Sequence, residues 1–250
     1  MTGVLSPAPR WQVHADAEAM YAAAAEAFVA CARDAIAARG RFAVALAGGG
    51  TPKPLYERLA RAPYRERLDW SRVEVFFGDE RCVPPDSPRS NYRMADQALL
   101  SRVPLPPANV HRLHGEDAPA LAALAYEQDL RAVFRREWPR FDLVLLGLGD
   151  NGHTASLFPG CGCLRERERL VCAQYVESQH EWRLTLTLPV INAAGAVWLL
   201  AEGEGKAEVL ERVFAGPYQP QVLPMQYVAP EPGALACWLD RAAAARLPFA

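Results

Sequence analysis

The sequence lacks the features that would place it in a membrane, outside the cell or on nucleic acid. No uninterrupted apolar run approaches the roughly 18 residues needed to span a bilayer. No asparagine is followed by x-Ser/Thr, so no glycosylation acceptor is present. The first residues, MTGVLSPAPRWQ, show neither the charged region nor the apolar region of a signal peptide. No CxxC pair occurs among the six cysteines, at positions 31, 82, 161, 163, 172 and 237. Cys161-Gly-Cys163 is too tight for a usual zinc knuckle. These absences predict a cytoplasmic protein with free thiols and no metal. A basic excess is missing too: 27 Lys and Arg stand against 29 Asp and Glu, a net charge of −2. That excludes a general nucleic-acid binder, though not a local basic pocket for a small anion. There are no repeats and no low-complexity linker. The segment RERER, Arg165–Arg169, alternates in sign and reads as solvated surface.

What is present is a sizeable core. The chain is 51% hydrophobic and 22% charged over 250 residues, which suits a single α/β domain spanning 1–250, with room for a small inserted lobe. Alanine-rich Ala15–Ala38 predicts a long helix stopped by Gly40. Phe42–Ala47 predicts a strand leading into a helix from Pro52 to Leu59. Further strands are expected at Val73–Phe77, Leu143–Leu146, Ala196–Ala201 and near Ala236–Leu239. Further helices are expected at Asn91–Leu100, Ala118–Arg136 and Gly205–Phe214. In Trp182–Leu188 the residues Trp182, Leu184, Leu186 and Leu188 alternate with Arg183, Thr185 and Thr187, the pattern of a half-buried strand with a polar face. Strands alternating with helices predict a mainly parallel, Rossmann-like sheet with helices on both faces.

Three glycine- or charge-rich segments follow strand ends, where open α/β sheets build their sites. Gly48-Gly49-Gly50-Thr51-Pro52 lets backbone approach a ligand and opens a helix, which suits a phosphate. It is not a Walker loop, because GxxxxGK[ST] is absent. Asp79-Glu80-Arg81 offers a guanidinium for forked anion recognition and a carboxylate, Asp79, to orient a sugar hydroxyl or a water. Gly147-Leu148-Gly149-Asp150-Asn151-Gly152 matches GxGxxG. However, it comes late in the chain, no clean helix follows, and no acid closes a βαβ unit. His153 follows it instead, and histidine is the side chain whose pKa suits proton transfer near neutrality. Arg183 and Lys206 could add charge to an anion pocket, although each taken singly reads as a surface residue.

Taken in order, these blocks resemble the 6-phosphogluconolactonases of the wider glucosamine-6-phosphate isomerase/deaminase superfamily. The similar stretches are LAGGGTP at Leu46–Pro52, then GDER followed by Val83 and Ser90-Asn91-Tyr92. LGLGDNGHTASLFPG at Leu146–Gly160, RLTLTLPVIN at Arg183–Asn192, GEGKAEVL at Gly203–Leu210 and the C-terminal WLDRAAA complete the set. The resemblance implies hydrolysis of 6-phospho-D-glucono-1,5-lactone to 6-phosphogluconate, in the oxidative pentose phosphate pathway, without metal or cofactor. It implies that His153 acts on the nucleophilic water. Gly49, Gly50, Thr51, Arg81, Arg183 and Lys206 would hold the substrate, chiefly its phosphate. The expected partner is that small lactone, with no nucleic acid and no membrane, in a monomer or weak homodimer.

One position departs from the family pattern G-x-G-x-D-G-H. Asn151 replaces the usual aspartate two residues before the histidine, and Asp150 stands one place earlier. Asparagine can orient an imidazole but brings no charge, so either residue is a candidate partner for His153. The related deaminases carry glutamate five residues after the histidine, where this chain has Phe158. That leaves amino-sugar deamination poorly served. A non-catalytic sugar-phosphate-sensing module is the other alternative; no DNA-binding segment is appended to support it.

Overall fold

The structure is a computed structural model that describes residues 9–136 and 138–249; the expectation drawn from the first residues of the chain falls largely outside them. Among the described residues, nine strands and seven α-helices follow in the order β1 (Arg10–His14), α1 (Ala17–Arg39), β2 (Phe42–Leu46), α2 (Lys53–Leu59), β3 (Val73–Phe77), β4 (Asp79–Arg81), α3 (Asn91–Ala98), α4 (Pro119–Phe134), β5 (Leu143–Leu146), β6 (Val171–Val176), β7 (Glu181–Leu186), α5 (Leu188–Asn192), β8 (Ala196–Ala201), α6 (Ala207–Phe214), β9 (Ala234–Asp240) and α7 (Arg241–Ala244). Six strands form a parallel sheet in the order β1-β9-β8-β5-β2-β3.

Local chemistry accounts for the element ends. The Asp16 side chain accepts the Ala19 N–H at 2.8 Å, which starts α1 two residues later than the alanine pattern alone suggests. Gly40 closes the helix in the left-handed region, φ 77°, with its N–H on the Ile36 carbonyl. Helix α4 stops at Phe134, two residues short of the expected Arg136, because Arg135 takes a left-handed cap there. Helices α3 and α6 are shorter than expected; a 3-10 turn follows the first and another precedes the second.

Helices cover both faces of the sheet, as the pleat shows. Phe42 stands in register with Val73, so Phe42 and Phe77 share one face and Phe76 faces the other. Phe42 packs edge-on against Phe28 of α1, with centroids 5.4 Å apart. Phe76 packs against Tyr126 and Phe134 of α4. Strands β2 and β5 are buried along their whole length, which is why they read as continuous apolar runs.

A second, three-stranded antiparallel sheet, β4-β7-β6, supplies the inserted lobe. It corrects the reading of Trp182–Leu188. That strand lies outside the parallel sheet and ends at Leu186, and Leu188 opens α5. Both its faces are buried: Arg183 is 8% exposed and Thr185 fully buried on the polar one, Leu184 and Leu186 are fully buried on the apolar one, and only Trp182, stacked edge-on against Tyr175, is exposed. Strands β1, β4 and β6 were not expected. The first is short with a mixed burial pattern, the second has three residues, and the third lacks clean alternation.

A half-buried histidine generates a stability prediction. His111 sits between Asp129 at 2.9 Å and Glu74 at 3.0 Å, flat against Phe76. Burial disfavours the charged ring, but the two carboxylates outweigh it and raise the pKa to about 9. A raised folded-state pKa stabilises fully below the unfolded value, about 6.5, and the contribution is lost as pH rises through about 9. Asp129 is partly solvated, so roughly 1–3 kcal/mol is expected. Urea unfolding at pH 6 and pH 9.5 should show this loss in the native chain and little of it in His111→Gln; equal slopes with pH would refute it.

Candidate active site

From β2 the chain winds outward to β3; from β5 it winds the other way, to β8 and β9. The loops leaving β2 and β5 therefore diverge, and a crevice opens at the strands' carboxyl ends, the usual place for a ligand in such sheets. A cavity of about 200 Å³ occupies it. One wall is the loop Gly48–Thr51. Gly49 has φ 89°, which favours glycine. A Cβ on Gly48 would fall 1.8 Å from the Asn91 side-chain oxygen. Two tyrosines fix the loop: Tyr56 hydrogen-bonds both the N–H and the carbonyl of Ala47, and the Tyr21 hydroxyl donates to the Thr51 carbonyl at 2.6 Å.

The second wall is the loop after β5. The Gly149 N–H donates to the His153 carbonyl at 2.9 Å and the Gly152 N–H to Gly149, closing a tight turn through Gly152 at φ 80°. A Cβ on Gly149 would lie 2.0 Å from the imidazole. The His153 Nδ1 is 2.6 Å from Asn151 Oδ1, and the His153 backbone N–H donates to the same oxygen at 3.2 Å. An amide oxygen only accepts, so Nδ1 carries the proton and Nε2 keeps its lone pair. Asp150 turns instead to Lys206, 2.5 Å from its Nζ, and this settles which of the two residues orients the histidine. Phe158 stacks on the imidazole, with centroids 4.2 Å apart and planes 17° from parallel. Burial holds the His153 pKa down to about 4; Asp79 opposes this, and Arg183 and Lys206 add to it. The ring is neutral at pH 7.

The inserted lobe supplies charge. Arg81 and Arg183 stand directly opposite each other in the β4–β7 ladder. Burial, with Arg81 beside it, lowers the Arg183 pKa. Glu181 pairs with Arg183 at 3.0 Å. Arg81 donates to Asn91 Oδ1 at 2.6 Å and to the Arg89 carbonyl. Asn91 in turn donates to Asp79, whose other carboxylate oxygen accepts from Ser156 at 2.6 Å. Glu80 faces away from the cavity and accepts the N–H groups of Arg81, Asn91 and Tyr92 and the Ser90 hydroxyl. It fastens the start of α3 to β4.

His153, Asp79, Gly49, Gly50, Thr51, Arg81, Arg183 and Lys206 all line the cavity, and Asn151 reaches it through His153. The expectation that Arg183 is a surface residue was wrong, because β7 turns its polar face inward. The sequence reading missed Asn91, which lines the cavity, and Ser156 and Phe158, which hold Asp79 and His153. Asn91 lay in a quoted block, but only the fold shows that its amide bridges Arg81 and Asp79. No group of His, Cys, Asp and Glu among the described residues has the arrangement of a metal site, and none of their helices is long and apolar enough to cross a membrane.

The family model for glucosamine-6-phosphate isomerases/6-phosphogluconolactonase matches residues 15–237. The chain is 44% identical over 206 residues to a 6-phosphogluconolactonase of Synechocystis sp., covering 81% of this chain and 83% of that one. It is 40% identical to the 6-phosphogluconolactonase of Streptomyces coelicolor, covering 98% and 97%. Among solved structures, 6-phosphogluconolactonase from Trypanosoma cruzi superposes with a TM-score of 0.85 at 30% identity, over 98% of this chain and 99% of that one.

The Asn151–His153 contact makes the histidine's basicity testable. Asn151→Asp places a charge on the oxygen facing Nδ1 and should raise the His153 pKa by about 1–3 units from its depressed value. An NMR titration of the imidazole Cε1–H in both proteins reads this directly; identical titrations would show that residue 151 does not set the ring's charge.

Proposed function

The chain belongs to the glucosamine-6-phosphate isomerase/6-phosphogluconolactonase family, and from that premise we propose that it hydrolyses 6-phospho-D-glucono-1,5-lactone to 6-phospho-D-gluconate with His153 as general base. The observation that carries this reading is the neutral, single-tautomer imidazole of His153 in a cavity shared with two buried-side guanidiniums. Arg81, Arg183, Lys206 and the Gly49–Thr51 loop take the phosphate and so fix the lactone ring against the histidine. Orientation of this kind removes much of the entropic barrier. Nε2 accepts a proton from a water as its oxygen attacks the lactone carbonyl carbon. The resulting imidazolium returns the proton to the ring oxygen as the C–O bond breaks, leaving a free hydroxyl and a carboxylic acid, which releases its proton to solvent as the carboxylate. Asp79 orients a sugar hydroxyl or the water.

A conjugate-acid pKa near 4 makes the free enzyme's base weak, but a bound phosphate dianion offsets the Arg183 and Lys206 charges and strengthens it. A δ-lactone carbonyl is activated and asks little of its base. Deamination is disfavoured, because Phe158 occupies the position of the acid that ring opening of an amino sugar would use.

The test is a coupled assay in which glucose-6-phosphate dehydrogenase makes the lactone and 6-phosphogluconate dehydrogenase reports the product, with spontaneous hydrolysis subtracted. His153→Ala should lower kcat by about 10²–10⁴-fold with product binding kept; full activity in that variant would remove the general-base role. Arg81→Ala should raise KM for the phosphorylated lactone by about 10- to 100-fold and leave unphosphorylated gluconolactone within about threefold. Equal effects on both would show that Arg81 does not read phosphate.

A further inference from the structure

On the premise of the proposed lactone hydrolysis, we propose that Ser156, docked on the inserted lobe through Gln174 and Thr185, sets the reach between the lobe's arginines and His153. It is thereby the positioning residue that selects phosphorylated lactones over unphosphorylated ones. Each polar atom of Ser156 meets a different strand of the lobe. Its Oγ donates to Asp79 of β4 at 2.6 Å, and its N–H donates to the Thr185 hydroxyl of β7 at 3.3 Å. Its carbonyl accepts from the Gln174 amide of β6. Ser156, Thr185 and Gln174 are all buried.

The register of the lobe puts this dock and the arginines on one face. Arg81, Arg183 and Gln174 stand abreast across β4, β7 and β6. Asp79 and Thr185 stand abreast in the neighbouring row, two residues along each strand. Side chains two residues apart on a strand share a face. The face that offers its guanidiniums to the cavity therefore also grips Ser156.

Between the dock and the histidine the chain has little slack. His153 lies three residues back, which spans at most about 11 Å of extended chain. The Thr154 hydroxyl donates to the Gly147 carbonyl at 2.8 Å, and the Thr154 carbonyl accepts the Leu157 N–H at 2.9 Å. Ala155, which lines the cavity, is held at φ 46°, a left-handed conformation that residues other than glycine adopt at a cost. A shift of Ser156 against the lobe is therefore passed to the imidazole, while the arginines stay with the lobe.

Stability alone does not account for the dock. The Gln174 Oε1 is buried without a hydrogen-bond partner among the described residues, and an orphaned buried oxygen is costly. A methionine would fill similar space without that cost. What the amide adds is direction, because it fixes the Ser156 carbonyl at one place on the lobe. Such precision matters most to a substrate gripped at both ends. A lactone anchored by its phosphate on Arg81 and Arg183 presents its carbonyl at a set distance. An error of about 1 Å at the base then costs up to about 10²-fold in rate. A lactone without phosphate has no such anchor and settles against the histidine wherever it stands.

The experiment compares the native protein with Gln174→Met, which removes the bond to the Ser156 carbonyl and leaves Asp79 and the cavity lining intact. For the phosphorylated lactone, kcat should fall about 10- to 100-fold, with KM within about threefold because both arginines remain. Unphosphorylated gluconolactone should keep kcat/KM within about threefold, and the melting temperature should stay within about 4 °C. A merely structural role would slow both lactones alike. Equal losses on the two lactones, or no loss on either, overturn the positioning role. Should Gln174→Met fail to fold, Thr185→Val, which exchanges the hydroxyl for a methyl, is read in the same way. Hydrogen exchange reads the dock without substrate: the Ala155, Ser156 and Leu157 amides should exchange at least about tenfold faster in the variant. Unchanged exchange overturns the dock. A native protein that hydrolyses neither lactone faults the proposed function instead, and the exchange rates still decide the dock.

Discussion

Strands β2 and β5 are hydrogen-bonded neighbours, and the chain leaves them in opposite directions across the sheet. No helix can cover the gap between the two departing loops, so the carboxyl ends of these strands stay open. Because both strands are buried on both faces, they cannot shift without emptying the core, and the loops they carry are held to the same precision. The glycines follow from that closeness. At Gly48 and Gly149 a side chain would collide with Asn91 and with His153, so the loops stay bare where the proposed substrate must approach.

The inserted lobe answers a different need. A parallel sheet of this kind exposes backbone and short polar side chains at its crevice but few fixed cations. The antiparallel strands β4 and β7 bring Arg81 and Arg183 side by side, a pairing that like charges make unfavourable. Glu181, Asn91 and the nearby Asp79 hold the pair together. Both arginines line the cavity, and an anion bound there would relieve the repulsion. On the proposed function, the empty lobe gives up some stability for affinity toward the phosphate of the substrate.

Where sequence spoke clearly, the reason was a single local cause. Val73–Phe77, Leu143–Leu146 and Ala196–Ala201 are buried at every position but Glu74 and Ala196, so their largely apolar runs marked strands to the residue. Strand ends followed by glycine or by Asp-Glu-Arg pointed to the crevice because the fold class itself puts ligands there. What stayed hidden depends on contacts distant along the chain. Nothing near Trp182 says that β7 joins a separate sheet, where its polar face is buried as well as its apolar one. Ser156 meets Asp79 across 77 residues and Tyr21 meets Thr51 across 30, separations that no local pattern encodes. The histidine's partner was ambiguous for a subtler reason. Asp150 and Asn151 are adjacent, and only Lys206, 56 residues on, draws the carboxylate away.

That division between neighbours has a chemical consequence. A carboxylate at residue 151 would orient His153 and also stabilise its protonated form. An amide separates the two effects: it fixes the proton on Nδ1 without favouring the imidazolium. Phe158 works in the same direction by desolvating the ring. The empty site thus keeps Nε2 free to accept a proton across the whole neutral range. Its basicity then depends also on what fills the cavity, because burial holds it low first and the cations that add to this, Arg183 and Lys206, are ones a phosphate would neutralise. In the proposed reaction, substrate binding and base strength are therefore linked through the charges the phosphate meets.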